Sequence, residues 1–479
     1  MGVKKNFAYN SFLTVSNYLF NLILFPFCTR VLGVERYGTI GFTQNIVQYF
    51  SFLAMMGITT IGVREIAKQT NMADRNQCFS SLFVLNLLYT LISLCCFVPL
   101  IFLVPRFTVE KELFILGAFQ ILFATFCIEW FFKGIENFKY ITIRSIAVKL
   151  VYVAAVFIFV RSSKDYVLFF LLTVCVTLVN ALINYLYSRR FVRLSLRGVH
   201  LRPFVKSSLS LGAYSLLTSM YTTFNVVYLG FVQNDVQVGY YTAAIKIYTV
   251  ILGFYSAFTG VMLPRMTSIH SDGDATAFDT LICKSRDLLY SISIPAVAML
   301  LVLAPEVVSL LAGSEYFPSI QMSRIVIPML FVVGVAQLIA FQIMIPKGYE
   351  RITLRASVIG ALIGVLCNVL LVGRFGAVGT CCAVVITEVF VTAYYIFSAR
   401  KRNLFRLDVP LLIKNLIWSI PYVLIGWLSK LIPAPGYVTL FIAVLLAIPY
   451  FVFSQVRIFK NEMLIHFWKS VHHRKQTEA

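Results

Sequence analysis

The sequence predicts an all-α integral membrane protein of about fourteen transmembrane helices: two pseudo-symmetric six-helix lobes plus two extra C-terminal helices. Hydrophobic residues make up 59% of its 479 residues, and only 13% are charged. A soluble globular protein usually has about 25% charged residues, so this chain lacks the polar surface that water requires. Its apolar residues also occur in runs of about 20, the length that crosses a bilayer as a helix.

Fourteen such runs follow one another along the chain, and we number them spans 1 to 14. Charged residues, glycine and proline separate them. The connection between spans 11 and 12 is the shortest, because only Gly373 to Gly376 are available for a very tight turn. The predicted spans lie near 7–29, 39–62, 79–104, 112–132, 142–160, 166–187, 205–231, 239–263, 288–312, 323–345, 354–372, 377–398, 410–430 and 434–454.

The basic residues of the loops support this count and orient the chain. With the N-terminus inside, the predicted inside loops and tails hold 30 of the 41 Lys and Arg and the outside loops hold 8, when basic residues within the first or last five positions of a span, except Arg324, are counted with the adjoining loop. The positive-inside rule expects this asymmetry. The net charge of +21 would fit nucleic-acid binding only if it formed a basic face on a soluble domain. We therefore expect a cell-membrane protein with both termini in the cytoplasm.

A short motif repeats six spans apart. Lys133-Gly134-Ile135-Glu136 and the following Ile141-Thr142-Ile143-Arg144 return as Lys347-Gly348-Tyr349-Glu350 and Ile352-Thr353-Leu354-Arg355. An even spacing gives both copies the same orientation, so the repeat is parallel. The predicted organisation is an N-lobe of spans 1–6 at 1–187, a basic cytoplasmic linker at 188–204, a C-lobe of spans 7–12 at 205–398, and spans 13–14 with a basic cytoplasmic tail at 399–479.

The remaining chemistry argues against an enzyme. Most of the ten cysteines lie inside apolar runs, and no CxxC motif or Cys/His pair is present, so we expect buried thiols and no metal. The five histidines lie in predicted loops and the tail, and Asp272-Gly273-Asp274 is a poor match to an acidic catalytic motif. The sequence contains no GxxxxGK[ST] nucleotide-binding motif. A transporter without a cofactor fits these features.

Five further segments lie in order between residues 10 and 390. They are Pro26-Phe27-Cys28-Thr29-Arg30-Val31-Leu32-Gly33 with Tyr37-Gly38, Gly57 through Arg64-Glu65-Ile66-Ala67, Lys133-Gly134, Asn368 with Gly376-Ala377-Val378-Gly379, and Thr387-Glu388. Together they resemble the O-antigen and polysaccharide (Wzx-type) flippase family of the multidrug/oligosaccharidyl-lipid/polysaccharide exporter superfamily. The resemblance implies two six-helix lobes, alternating access and an undecaprenyl-pyrophosphate-linked oligosaccharide as cargo.

Such a cargo requires a wet, cationic path, because its phosphates and hydroxyls cannot cross hydrocarbon unassisted. Arg binds phosphate bidentately and Lys acts as a point charge. Lys246 lies well inside span 8, where a charge costs roughly 2.5–3.5 kcal/mol. The alternatives are snorkelling at helix ends for the arginines and structural ion pairing for the lysines. The candidate cations are Arg30, Arg64, Lys246, Arg265 and Lys149.

Amides and carboxylates complete the candidate path. Asn17 and Asn21 share a face of span 1, Gln44 and Gln48 share a face of span 2, and Asn225 lies in span 7. These amides are expected to bond either sugar hydroxyls or one another between helices. The candidate coupling carboxylates are Glu388 within span 12, Glu129, for which a local pair with Lys133 is the simpler interpretation, and Glu65 beside Arg64.

The predicted function is a flippase that moves a lipid-linked oligosaccharide from the cytoplasmic to the outer leaflet of a bacterial inner membrane, for O-antigen, capsule or exopolysaccharide synthesis. A proton or sodium gradient, or the membrane potential, is the candidate energy source. The expected partners are the lipid-linked substrate, the bilayer and other polysaccharide-assembly membrane proteins, without nucleic acid. The alternatives are a cation-coupled multidrug or metabolite exporter and, from another class, a membrane polysaccharide polymerase or ligase.

Overall fold

The computed structural model describes residues 3–195 and 198–459, and every regular element in these ranges is a helix. The predicted all-α fold is therefore confirmed. Arg197 of the basic linker and the predicted tail beyond residue 459 lie outside the described residues. The chain divides into two compact units, one of Met1–Thr242 with Gly364–Thr380 and the other of Ala243–Ile363 with Cys381–Ala479.

The first unit holds the first ten helices and the beginning of the eleventh. One apolar core of this unit packs Phe79, Trp130, Phe131 and Phe132 with aliphatic residues of α2 and α3. The helices are α1 (Val3–Met55), α2 (Ile58–Ala67), α3 (Met72–Leu103), α4 (Pro105–Val109), α5 (Lys111–Phe126), α6 (Glu129–Gly134), α7 (Phe138–Phe159), α8 (Tyr166–Ser188), α9 (Arg202–Thr222), α10 (Phe224–Val232) and α11 (Asp235–Ser271).

The second unit begins within α11 and contains the remaining helices, apart from the middle of α15. A core of Tyr290, Leu338, Ile339, Ile343 and further buried apolar side chains holds α11, α12, α14 and α15 together. The helices are α12 (Ala275–Leu311), α13 (Ser319–Val326), α14 (Met329–Gln337), α15 (Glu350–Arg400), α16 (Val409–Ile417), α17 (Ile420–Ser429) and α18 (Gly436–Phe453).

Ten helices in the described residues are long and apolar enough to cross a membrane. The bent helix Asp235–Ser271 is an eleventh if its two halves form one span. Two of the ten, Ala8–Ala67 and Glu350–Lys401, each cover a pair of spans that the sequence separates. The predicted span 205–231 corresponds to α9 and α10, which are not among the ten. The count of fourteen spans thus remains a prediction, whereas the multi-pass architecture is confirmed.

Glycine breaks the two longest helices, once between predicted spans 1 and 2 and once at the predicted turn between spans 11 and 12. In α1 the backbone of Gly33 leaves the helical region with φ 73° and ψ 173°. In α15 Gly376 adopts φ 55° and ψ −133°, between predicted spans 11 and 12. Glycine populates positive φ without the steric penalty of a Cβ. One residue at each site is therefore enough to end one helix and begin the next.

The predicted linker 188–204 is docked on the N-terminal turns of α3. The backbone N–H groups of Arg193 and Ser195 donate to Asn76 Oδ1 at 2.9 Å and Ser80 Oγ at 3.0 Å. The backbone N–H of His200 likewise donates to Ser81 Oγ at 3.1 Å. These bonds satisfy backbone groups that no helix satisfies. The described residues of the linker are therefore bound to α3 by backbone hydrogen bonds.

Helices α16 to α18 pack on α12, and an ion pair lies near each end of this contact. Arg286 lies 3.4 Å from Asp408, which precedes α16. Twenty residues further along α12, Glu306 lies 3.0 Å from Lys430, which follows α17. Twenty helical residues span about 30 Å, the thickness of the hydrocarbon core. The two C-terminal spans are therefore fixed to α12 near both ends.

Candidate functional site

The structure brings together two of the predicted path residues, Lys149 and Asn17. Lys149 Nζ on α7 donates to Asn17 Oδ1 on α1 at 2.6 Å. Lys149 is partly buried in a span, and Asn21 lies one turn from Asn17 with its side chain exposed. A cation inside a membrane needs polar partners or water. This pair places a positive charge and an amide at one point along the helices of the first unit.

Glu129 is bound mainly by a residue that the sequence analysis did not select. Arg144 Nη2 on α7 lies 2.7 Å from Glu129 Oε1, whereas the expected partner Lys133 is 4.0 Å away. Arg144 also donates to Asn180 Oδ1 at 2.7 Å. The Arg144 side chain is only 4% exposed and that of Glu129 is 41% exposed. The available signal was the position of Arg144 at the inner end of an apolar run.

Arg64 and Glu65 form an exposed charge cluster near the C-terminus of α2. Arg64 Nε lies 2.8 Å from Glu65 Oε1, and Lys68 Nζ lies 2.9 Å from the same oxygen. Exposed pairs of this kind contribute little to stability. The Arg64 side chain is therefore paired with a carboxylate and is also exposed.

Asn225 takes the second of the two roles that the sequence left open. Its Oδ1 accepts a hydrogen bond from Asn368 Nδ2 at 2.7 Å, and both side chains are buried. Asn368 Nδ2 also donates to the Gly364 carbonyl at 2.7 Å. An amide pair between α10 and α15 is an interhelical contact of the kind that holds membrane helices together.

The other predicted path residues of the first unit lie on α1. Arg30 is exposed and donates to the Pro26 carbonyl at 3.1 Å, one turn before the break at Gly33. Gln44 is partly buried and Gln48 is exposed, beyond the break.

Three predicted residues lie in the second unit. Lys246 is partly buried in α11, and Arg265 is exposed directly after Pro264 of the same helix. Glu388 is partly buried in α15, and within residues 3–195 and 198–459 its carboxylate has no hydrogen bond or ion pair. An intramembrane carboxylate is by default a functional candidate.

A polar network at the first turn of α11 was missed by the sequence analysis. Asp235 forms an ion pair with Arg106 of α4 and accepts a hydrogen bond from Thr39 Oγ1 of α1 at 2.9 Å. On the other side, Gln233 Nε2 donates to the Val372 carbonyl at 3.1 Å, and Gln237 Oε1 accepts from the N–H of Ala377 at 3.0 Å. The two glutamines satisfy backbone groups that the turn at Gly376 frees.

No cluster of three or more His, Cys, Asp or Glu side chains in the described ranges is arranged to hold a metal ion. The polar groups that the structure assembles are instead cations with amides and carboxylates. Such groups suit the binding and movement of a charged, hydroxyl-rich molecule.

Comparison with known proteins gives the family. Residues 3–270, more than half of the chain, match the family model described as polysaccharide biosynthesis protein. The chain belongs to the polysaccharide biosynthesis protein family. The resemblance to polysaccharide exporters is therefore confirmed.

Two relatives of the chain carry the name "Putative O-antigen transporter". The Shigella dysenteriae protein is 24% identical over 401 residues, which are 83% of this chain and 100% of the relative. The Escherichia coli K12 protein is 25% identical over 416 residues, which are 84% of this chain and 98% of the relative. The similarity extends over essentially the whole of both relatives.

Solved structures show which fold the family member adopts. The lipid II flippase MurJ in an inward closed conformation matches with a TM-score of 0.78 at 13% identity, covering 95% of this chain and 99% of MurJ. An inward-facing multidrug transporter of the MATE family matches with a TM-score of 0.58 at 15% identity, covering 84% and 95%. At these identities the likeness concerns the fold alone.

Proposed function

We propose that this protein is a flippase that moves an undecaprenyl-pyrophosphate-linked oligosaccharide from the cytoplasmic to the outer leaflet of a bacterial inner membrane. The observation that carries the proposal is the similarity over essentially the full length of two proteins named "Putative O-antigen transporter". The MurJ-like fold adds support, because MurJ is named as a flippase of another lipid-linked molecule. On this proposal the protein is a transporter rather than an enzyme, and both termini are cytoplasmic.

In the proposed path, the cationic side chains bind the anionic pyrophosphate. The candidate cations that are partly buried within spans are Lys149, bonded to Asn17, in the first unit and Lys246 in the second. A lysine inside a span lowers the cost of bringing an anionic head group into the membrane, because opposite charges attract strongly where water is scarce. Amides beside the cation supply hydrogen bonds to hydroxyls and phosphate oxygens.

The proposed energy source is the membrane potential together with an ion gradient. One charge that crosses the full field gains roughly 2.3 kcal/mol per 100 mV. A doubly negative head group that leaves an inside-negative cell therefore gains about 4.6 kcal/mol per 100 mV by the same relation. Glu388 is the proposed coupling carboxylate, since a proton or Na⁺ bound there would neutralise a charge inside α15.

The test is deletion of the gene followed by analysis of the lipid-linked intermediates. We expect the oligosaccharide to accumulate on the cytoplasmic leaflet and surface glycan to fall, with restoration by the plasmid-borne gene. The MATE likeness makes drug export the second candidate. Unaltered surface glycan together with increased drug sensitivity in the deletion strain would reject the flippase and support that candidate.

A further inference from the structure

The linker at 188–204, which is docked on α3, has a distinctive set of charged residues. It contains five arginines, no lysine and no acidic residue. Lysine orients a membrane helix as well as arginine does, so orientation alone does not account for this set. Arginine differs from lysine in its planar guanidinium group, which bonds two oxygens of one phosphate at once. The composition of the linker therefore favours phosphate as its partner.

Four of these arginines lie in the described residues, and all four are exposed. Within residues 3–195 and 198–459, none of the four side chains has an ion pair or a hydrogen bond. Elsewhere in the first unit, Arg36, Arg64 and Arg144 each pair with a carboxylate, at 3.1, 2.8 and 2.7 Å. In the described part of the chain, the guanidinium groups of the linker therefore lack an anion. They belong to Arg189, Arg190, Arg193 and Arg202.

Contacts with α3 and α8 hold the linker in one place. Val192 is 2% exposed, within the apolar core that contains residues of α2 and α3. The N–H of Arg193 donates to Asn76 Oδ1 at 2.9 Å, and the guanidinium of Arg190 lies 5.4 Å from the centre of the Tyr187 ring. A segment that is already ordered loses less conformational entropy when it binds a partner. The docked backbone therefore favours binding by the exposed arginines.

The linker directly follows a helix long enough to cross the membrane. That helix ends at Ser188, so Arg189 is the next residue along the chain. Leu194, which follows Arg193, is 42% exposed. Segments that lie on a membrane surface combine exposed cations with exposed apolar side chains, and the cytoplasmic leaflet supplies anionic phospholipid head groups. Position and composition together indicate a lipid head group rather than a phosphate free in solution.

We propose that the docked linker is a binding surface for anionic phospholipids of the cytoplasmic leaflet. Its guanidinium groups bond the phosphate oxygens of the head groups, and Leu194 contacts the start of the acyl chains. The inference goes beyond the proposed function and takes from it only the cytoplasmic position of the linker. Bound phospholipid neutralises the arginines and contacts the linker only when it is docked, so it stabilises the first unit.

The test is native mass spectrometry of the detergent-purified full-length protein during titration with single phospholipids. Palmitoyl-oleoyl phosphatidylglycerol is anionic, and palmitoyl-oleoyl phosphatidylcholine has the same acyl chains but no net charge. The variant Arg190→Gln/Arg193→Gln removes two guanidinium groups of the linker. The matched control is Arg161→Gln/Lys164→Gln, which removes two exposed cations of the predicted outside loop between spans 5 and 6.

We expect the wild type and the control to bind phosphatidylglycerol with an apparent Kd about tenfold lower than that for phosphatidylcholine. The linker variant should raise the Kd for phosphatidylglycerol by about fivefold or more, because two charged contacts are lost. Inorganic phosphate at the concentration of the lipid should not displace phosphatidylglycerol. Equal binding of the two lipids by the wild type, equal losses in the linker variant and the control, or displacement by inorganic phosphate would each overturn the inference.

A second variant, Arg190→Lys/Arg193→Lys, keeps both charges and with them the orientation of the chain. It should still raise the Kd for phosphatidylglycerol by about threefold, because an ammonium group does not bond two phosphate oxygens bidentately. An unchanged Kd in this variant would also overturn the inference.

The outcome is separable from that of the proposed function, because lipid binding is measured without transport. Accumulation of lipid-linked oligosaccharide in the deletion strain, combined with no preference for phosphatidylglycerol, overturns the lipid surface alone. A preference that depends on the linker arginines, combined with unaltered surface glycan, overturns the flippase alone.

Discussion

Two basic side chains of α7 lie five residues apart and have different surroundings. Lys149 is bonded to a neutral amide, Asn17, whereas Arg144 is bonded to the carboxylate of Glu129 and the amide of Asn180. The carboxylate of Glu129 neutralises the charge of the buried Arg144, so we assign Arg144 to the stability of the first unit. Lys149 remains a candidate for the proposed path because it is partly buried within a span.

Replacing Lys149 tests its place in the proposed path. Lys149→Met keeps the length of the side chain and removes the charge, so we expect export to fall by at least about tenfold if the charge contributes ~1.4 kcal/mol or more. Lys149→Arg keeps the charge and is the matched control. The measurement is surface glycan in the deletion strain at equal protein levels. Equal export by Lys149→Met and wild type would remove this residue from the path.

Replacing Arg144 tests its assignment to stability. Removing one partner of a buried pair destabilises by about 3–5 kcal/mol, and the half-exposed Glu129 should lower this to about 2–3 kcal/mol. Arg144→Ala should therefore lower the unfolding temperature in detergent. Lys133→Ala, at 4.0 Å from the same carboxylate, should change it little. A larger loss for Lys133→Ala than for Arg144→Ala would contradict this account.

Glycine residues allow the backbones of α1 and α11 to approach each other closely. A Cβ on Gly239 of α11 would overlap the Val34 carbonyl of α1, and one on Gly38 would overlap the Asp235 carbonyl. Small residues allow this approach between membrane helices. The contact lies beside the Arg106–Asp235 ion pair, so the glycines and the ion pair hold the same corner of the first unit.

The glycine contact has an internal control on the same helix. Gly239→Ala should destabilise the protein, because the neighbouring atom is a backbone carbonyl that cannot move away. Gly260→Ala has open space around it and should be neutral or stabilising by up to about 1 kcal/mol from helix propensity. Thermal unfolding of both variants in detergent measures the difference. Equal shifts for the two would show that the close approach is absent.

The C-terminal helices give a second prediction at this scale. Glu306→Lys should weaken the attachment of α17 to α12 by placing two cations at the contact with Lys430. The double change Glu306→Lys/Lys430→Glu should restore at least half of the lost unfolding temperature, because the charges are exchanged. The single and double variants are compared by thermal unfolding. Failure of the double variant to recover would show that the 3.0 Å pair contributes nothing by its charge.

Transport of an anionic cargo by the whole protein should depend on the membrane potential. If the cargo leaves with two negative charges, an inside-negative potential of 100 mV favours the outer leaflet by about 4.6 kcal/mol. In proteoliposomes, imposing this potential with potassium and valinomycin should raise the fraction of lipid-linked oligosaccharide accessible to an external probe. A neutral glycolipid is the control. Flipping that ignores the potential would indicate electroneutral exchange with a counter-ion.

The all-helical membrane fold, the family and the turn at Gly376 could be predicted from sequence, because apolar runs, loop charge and glycine are local signals. The Glu129–Arg144 and Asp235–Arg106 pairs could not, since each joins residues from separate helices whose packing leaves no local pattern. Their partners lie 15 and 129 positions apart. The number of spans stays a prediction, since two of the membrane-length helices, Ala8–Ala67 and Glu350–Lys401, each cover two predicted spans.

The docked linker has a consequence for the order in which the chain is made. Its N–H groups find their acceptors on Asn76, Ser80 and Ser81 of α3, a helix that leaves the ribosome more than a hundred residues earlier. The first turns of α3 must therefore be formed before the linker can bind. Binding then fixes the residues that precede the start of α9 at Arg202.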